Sequence, residues 1–166
     1  AFVYDEASVK WYINGENGLG STFVLEVPAG VSTEPLYLGS QAGITRWWDG
    51  GLDEVRIASE ARSAAWIQTC HSNQAAAASF ATFAAAEDAP GPDPHRADWP
   101  QHLESWHYRQ ALMLDGALVK GTHSNFPLLV TEACIDPGLW ENARPDGRDL
   151  LVTAADGTNV LSHEVE

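Results

Sequence analysis

Short strands and tight turns set the pattern of this chain, and they predict an all-β fold of antiparallel sheets. Three observations carry that prediction. Ser8–Ile13 alternates, with Val9, Trp11 and Ile13 on one face and Lys10 and Tyr12 on the other, as the two-residue period of a strand requires. Asn14-Gly15 follows at once, the strongest short hairpin signal. A tight Asp49-Gly50-Gly51 turn then leads into Leu52-Asp53-Glu54-Val55-Arg56-Ile57, which alternates again.

Taken in order, Ser8–Ile13 is the first strand and Phe23–Val27 the second, stopped by Pro28. Leu36–Leu38 reads as a third, ended by Gly39, and Leu52–Ile57 as a fourth. Gly15, Gly18 and Gly20 fall in the hairpin loop and read as turn glycines, not as a phosphate loop. In the fourth strand Asp53 shares a face with Val55 and Ile57. If that face is buried, the carboxylate needs a hydrogen bond or a metal.

The run Arg46-Trp47-Trp48-Asp49-Gly50-Gly51-Leu52-Asp53-Glu54-Val55-Arg56-Ile57 resembles the closing motif of laminin-G-like (concanavalin-type jelly-roll) domains of secreted bacterial proteins. That motif is an aromatic, D/N-G, a small or apolar residue, D-E-V-R-I and a short helix. The ordered set over residues 3–74 resembles the C-terminal half of such a jelly roll. The resemblance implies a helix within Ser59–Gln74, and the residues agree with it. Ser63 is a suitable N-cap, and Ala64, Ala65, Trp66, Ile67 and Gln68 favour helix. Trp66, Ile67 and Cys70 form an apolar stripe that can dock on a sheet. Ala75–Ala86, alanine-rich around Phe80 and Phe83, suits strand or helix by composition; the resemblance implies an edge strand.

Ala89-Pro90-Gly91-Pro92-Asp93-Pro94 can sustain neither element and reads as linker. Beyond it come Trp106-His107-Tyr108-Arg109, Ser124-Asn125-Phe126-Pro127-Leu128-Leu129-Val130, Asp146-Gly147-Arg148-Asp149-Leu150, Asp156-Gly157-Thr158 and His163-Glu164-Val165-Glu166. This succession resembles the N-terminal part of an uncharacterised β-sandwich family that follows laminin-G-like modules in bacterial surface proteins. Its pattern is W-x-Y-R, T-N-F-P-V-L-V, A-x-x-D-G-x-D-I, D-G-T and H-E-I-E, with Ser124 here in place of Thr. The expected organisation is a laminin-G-like jelly-roll part at 1–88, a Pro-rich linker at 89–104 and a second β-sandwich part at 105–166. Each part carries about half the strands of its pattern. A half sandwich exposes an apolar face and unpaired edges. Two readings follow: a segment of a larger protein, or halves completed by another copy or another chain through strand exchange.

The formal charge of −14 over 166 residues argues against nucleic acid and anionic membrane as partners, since both need a basic surface. No apolar run approaches the ~20 residues of a membrane span. Cys70 and Cys134 are too few for a disulfide framework, and their pairing with each other stays open. The histidines, His71, His95, His102, His107, His123 and His163, show no zinc spacing. A glycosidase on such a sandwich needs two acids projecting into one groove. Asp53 and Glu54 are adjacent and would point to opposite strand faces, and Asp146 and Asp149 flank a turn, so no enzyme is expected.

Trp47 and Trp48 are the candidate ligand-binding residues, with Asp49 beside them. An indole face suits the apolar face of a pyranose while a carboxylate reads hydroxyls. On a strand the two indoles would point oppositely, leaving one as a platform and the other in the core. The resemblance further implies calcium, for which Asp49, Asp53 and Glu54 are the candidate ligands, although calcium takes about six to eight oxygens and no calcium-loop spacing is present. The competing reading gives Asp49 to a turn and Asp53 to a backbone hydrogen bond. The expected function is a non-catalytic, extracellular adhesion or binding module on a bacterial cell surface, for glycans or protein partners. The alternatives are a structural subunit of an assembly completed by strand exchange and a glycoside-processing enzyme.

Overall fold

A computed structural model describes residues 1–24, 30, 32–88 and 108–165. They fall into two compact units, Ala1–Gln68 and Thr69–Glu166. The Pro-rich stretch from Ala89 to Glu104 and the Trp106-His107 pair lie outside the described residues, as do residues 25–27 of the expected second strand and its Pro28 stop.

Unit 1 is built on one antiparallel sheet, β1 (Phe2–Tyr4), β2 (Ser8–Ile13) and β3 (Glu16–Val24), in that order. The expected hairpin forms. Asn14 and Gly15 both take positive φ, 51° and 81°, the combination a tight two-residue turn demands of this pair. Gly18 and Gly20 belong to β3 and not to the turn, a correction to their reading as turn glycines. The register passes from Lys10↔Thr22 to Tyr12↔Asn17, so residues 18–21 of β3 bulge opposite Trp11 alone. A Cβ on Gly18 would stand 2.7 Å from Ile13 Cδ1, so the exposed Ile13 side chain would have to shift to admit one.

The pairs Phe2↔Trp11, Tyr4↔Val9 and Val9↔Phe23 put these residues on one face of the sheet, together with Ile13. Val3, Lys10 and Tyr12 occupy the other. Helix α1 (Ala64–Ala75) covers only the second face: Ile67 joins Val3 and Tyr12 in a buried cluster, with Trp66 packed against it. Ser63 caps the helix as expected, its Oγ accepting from the Trp66 N–H at 3.1 Å. The first face stays open, and Phe2, Trp11, Ile13 and Phe23 are 45–59% exposed. Phe2 and Trp11 meet edge to face, 4.7 Å between centroids.

Neither Leu36–Leu38 nor Leu52–Ile57 is a strand. Both run as irregular, exposed chain. Two backbone facts account for the second case. No ladder partner lies beside it among the described residues, and Glu54 takes φ 52°, which breaks the extended conformation in mid-segment. The Asp53, Val55, Ile57 face therefore does not exist, and Val55 and Ile57 are exposed. A local fixture here is a turn closed by the Gln41–Thr45 bridge, against which the Trp48 N–H donates to Gly39 O at 2.8 Å.

Among its described residues, unit 2 contains three two-stranded antiparallel ladders. β4 (Ala81–Phe83) pairs with β7 (Leu112–Leu114), β5 (Glu87–Asp88) with β6 (Tyr108–Arg109), and β8 (Val152–Thr153) with β9 (Val160–Leu161). Helix α2 (Ala77–Phe80) leads directly into β4, so the alanine-rich stretch is helix first and strand second. A 3-10 turn at Glu132–Cys134 and helix α3 (Pro137–Asn142) complete the unit. Asp136 caps α3 by accepting from the Gly138 N–H at 2.8 Å, with Pro137 in the first turn where a missing N–H costs nothing.

The centre of unit 2 is partly polar. Phe80 and Ala81 are buried alongside Thr69 and Asn73, which stand one helical turn apart on α1. Asn73 clamps one residue at both ends: Oδ1 accepts from the Leu129 N–H at 2.8 Å, and Nδ2 donates to Leu129 O at 3.1 Å. Thr69 Oγ1 accepts from the Lys120 N–H at 2.9 Å and lies 3.0 Å from His123 Nε2. Two irregular segments are thus fixed by side chains in place of a ladder. Replacing Asn73 by Ala leaves the Leu129 N–H and C=O without their partner at a buried site. Urea unfolding should show a loss of about 1–3 kcal/mol, whereas exposed Ser79→Ala should change stability by less than about 0.5 kcal/mol.

Candidate functional site

Two places in unit 1 have the makings of a site. The first is a cleft of about 450 Å³ between the α1-facing side of the sheet and the chain entering α1. Asp5, Lys10, Tyr12, Glu16, Arg62 and Gln68 line it, with Asn17 at its side. The register explains the gathering. Lys10 and Tyr12 share a face because they are two apart on β2, and Asn17 lies directly across from Tyr12. Arg62 and Gln68 arrive with α1.

The acidic groups of the cleft are engaged within the protein. Asp5 accepts from the Ser8 N–H at 2.7 Å and from the Ser8 hydroxyl at 2.8 and 2.9 Å, and Lys10 Nζ stands 3.4 Å away. The Ser8 hydroxyl and then the Ser8 N–H hold the Asp5 carboxyl below the usual carboxylate range, against a smaller opposing effect of desolvation. Gln68 Nε2 donates to both Glu16 oxygens, at 3.1 and 3.2 Å. Arg62 differs. Its guanidinium lies over the Trp66 ring, 5.0 Å from the centroid, while its Nε is buried with no hydrogen-bond partner among the described residues. A cation–π contact of this kind is worth roughly 0.5–1 kcal/mol, and an unsatisfied buried donor costs about 1–3 kcal/mol. None of these cleft residues was singled out by motif. The alternation of β2 set Lys10 and Tyr12 on one face, but nothing in the sequence brought Arg62 to them.

The second place is Trp47-Trp48-Asp49. Both indoles are exposed, at 67% and 61%, so neither is core. The expectation that one of them is buried is corrected: without a strand, strict alternation does not apply. Trp48 is tied down by its Nε1–H, which donates to Gly51 O at 3.2 Å. Asp49 is exposed beside them. Neither indole lines the cleft.

The candidate calcium ligands do not converge. Asp53 Oδ1 accepts from the Glu54 N–H at 2.8 Å, and the Glu54 carboxylate pairs with Arg56. Among the described residues no three of His, Cys, Asp or Glu gather into a metal-binding group, so Asp49, Asp53 and Glu54 do not fit calcium as they stand. Cys70 and Cys134 are not joined in a disulfide, and Cys134 Sγ lies 3.4 Å from Thr131 Oγ1. Asp146 is paired with Arg144 and Arg148, and Asp149 accepts from the Arg144 N–H at 2.9 and 3.0 Å, so both serve the turn. In unit 2 a small apolar cavity of about 210 Å³ lies among Phe80, Leu114, Val119 and Phe126.

With this geometry in view, the sequence comparisons bear on unit 1. A laminin-G family model, described as the concanavalin A-like lectin/glucanases superfamily, matches residues 1–68. Those residues are similar to that superfamily. The match ends where unit 1 ends, and the second family resemblance is not among the matches. No curated protein and no solved structure matches the chain. Laminin-G-like domains are often carbohydrate- or protein-binding modules. No helix among the described residues is long and apolar enough to cross a membrane.

The Asp5–Ser8 interaction yields a pH prediction. Its folded-state pKa is depressed, so its contribution to stability is present above the unfolded value of about 3.9 and is lost as pH falls through the folded value. A carbon-detected NMR titration of the Asp5 carboxyl should give a midpoint below that of an unfolded Asp. Ser8→Ala should raise it, and an unchanged midpoint would refute the assignment to Ser8.

Proposed function

We propose that residues 1–68 form the binding part of a non-catalytic, extracellular module on a bacterial cell surface, and that its ligand is a glycan. The observation that carries this reading is the pair of exposed indoles, Trp47 and Trp48, beside the Asp49 carboxylate in the laminin-G-like region. Exposing two indoles to water is unfavourable unless something covers them in use. An indole supplies the flat apolar platform a pyranose needs, and the carboxylate accepts from its hydroxyls. The proposal contains no catalytic step, because the carboxylates expected to be adjacent or turn-bound are engaged in internal hydrogen bonds and ion pairs. It contains no calcium either, since Asp49, Asp53 and Glu54 present no convergent oxygen set.

A second reading rests on a different observation. The open sheet face bearing Phe2, Trp11, Ile13 and Phe23 is apolar and uncovered, and a sandwich would bury such a face under a second sheet. A second copy of the chain supplying that sheet would make the protein a subunit of an extracellular assembly completed by strand exchange. It is compatible with the first reading, and the two are measured separately.

Screening the 166-residue chain on immobilised glycans, with calcium and with a chelator, tests the first reading. Binding is expected in both conditions, falling at least tenfold in Trp47→Ala and Trp48→Ala. Retained binding in both variants would sink the reading, and a protein ligand in place of a glycan would replace its substrate class. Dependence on calcium would restore the carboxylates as ligands. Light scattering over a dilution series tests the second reading. A dilution-resistant oligomer that Trp11→Lys converts to monomer is the expected result for an assembly, and a monomer at every concentration excludes it.

A further inference from the structure

The sequence holds four Asp-Gly pairs: Asp49-Gly50, Asp115-Gly116, Asp146-Gly147 and Asp156-Gly157. Such a pair can rearrange without an enzyme, because a glycine has no Cβ to keep its amide nitrogen from the preceding aspartate Cγ. All four aspartates are exposed, so exposure does not separate them. Hydrogen bonding does. The Gly147 N–H donates to Arg144 O at 2.8 Å, and the Asp146 carboxylate is paired with Arg144 and Arg148. The Gly157 N–H donates to Ala154 O at 2.9 Å, and Asp156 Oδ1 accepts from the Thr158 and Asn159 N–H groups at 2.9 and 3.1 Å. Asp115 Oδ1 accepts from the Ala117 N–H at 2.9 Å and its C=O from the Leu118 N–H at 3.0 Å, which closes a turn around Gly116. Asp49-Gly50 differs. Among the described residues the Asp49 carboxylate has no hydrogen bond or ion pair, the Gly50 N–H has no acceptor, and neither residue belongs to a helix or a ladder.

From this contrast we infer that Asp49-Gly50 is a modification site, the pair at which the folded chain isomerises to isoaspartate. The Gly50 nitrogen attacks Cγ of the protonated Asp49 carboxyl. A C–N bond forms, the nitrogen gives up its proton, and the carboxyl hydroxyl leaves with it as water, giving a succinimide. Water then adds back to one of the two ring carbonyls. Opening at Cγ restores aspartate, and opening at the Asp49 main-chain carbonyl leaves the chain running through Cγ. No oxidant or reductant is consumed, and the mass is unchanged. The product carries one more methylene in the main chain between Trp48 and Gly50, and its carboxylate sits directly on Cα. That change falls inside the fixture of Trp48. Its N–H donates to Gly39 O at 2.8 Å, and its Nε1–H donates to Gly51 O at 3.2 Å, beyond the altered link. A Cβ on Gly50 would stand 3.0 Å from Trp48 Nε1, so the edge of the indole lies against this same backbone. Isomerisation therefore displaces the Trp48 indole and the Asp49 carboxylate together. That this shuts off a ligand site rests on the glycan reading above; the modification itself does not.

The test is to age the 166-residue chain at mildly acidic pH, folded and in parallel unfolded in urea, and to map its peptides with a fragmentation that tells isoaspartate from aspartate. Asn14-Gly15 and Asn17-Gly18 close the same ring with loss of ammonia, and the resulting change of mass keeps their products apart. In the folded chain isoaspartate should accumulate at Asp49 at least tenfold faster than at Asp115, Asp146 or Asp156. In urea the four rates should converge. Equal rates in the folded chain, or a faster rate at another of the four, would overturn the site. A lead for Asp49 that survives in urea would overturn its assignment to the missing hydrogen bonds. The Trp48 Nε1–H resonance should shift in the isomerised fraction, and an unmoved resonance would overturn the coupling to the indole. Neither readout uses a ligand, so this inference and the glycan reading fail separately.

Discussion

A sheet has two faces, and among the described residues of unit 1 a single helix is available to cover them. That constraint shapes the rest of the unit. Ile67 of α1 reaches Val3 and Tyr12 and makes the only dry cluster there among the described residues. Beside that contact a cleft remains, lined by Lys10 and Tyr12 of the covered face, by Asp5, Glu16 and Asn17, and by Arg62 and Gln68 from the helix side. The opposite face keeps Phe2, Trp11, Ile13 and Phe23 in water. Burying four such side chains would contribute on the order of 1.5–3 kcal/mol each, a large driving force for whatever covers them. The cleft and the open face are two consequences of one incomplete layer.

Unit 2 solves a different problem. Its ladders are only two or three residue pairs long, too short to fix the segments that join them. The buried amide of Asn73 and the hydroxyl of Thr69 do that work by pairing with backbone groups of Leu129 and Lys120. A helix presents residues four apart on one face, so α1 can anchor two irregular segments from successive turns. Buried polar groups are acceptable there because each finds its partner.

In unit 1 the Asp5 and Glu16 carboxylates are held by neighbours, while Trp47 and Trp48 stand in solvent. The laminin-G-like match over residues 1–68 agrees with a binding role and leaves the ligand to the side chains. The two candidate places use different physics. One presents two exposed indoles beside a carboxylate, and the other is a cleft lined by acids, bases and amides.

The sequence by itself determined the local devices. The hairpin at Asn14-Gly15 was legible because positive φ at two successive residues admits few other pairs. The two faces of β2 were legible from its alternation, and the Ser63 cap from its place before an Ala-rich run. The Leu36–Leu38 and Leu52–Ile57 segments misled, since alternation marks a capacity for strand that becomes a strand only beside a partner. The exposure of both Trp47 and Trp48 followed from that missing partner. The glycines of β3 misled in the other direction, because a bulge draws on the same residues as a turn. Only the tertiary structure decided which sheet face α1 covers, and hence that Lys10, Glu16, Asn17 and Arg62 meet around one cleft. Those residues are up to 52 positions apart in sequence, from Lys10 to Arg62, and only packing of the helix on the sheet sets them side by side.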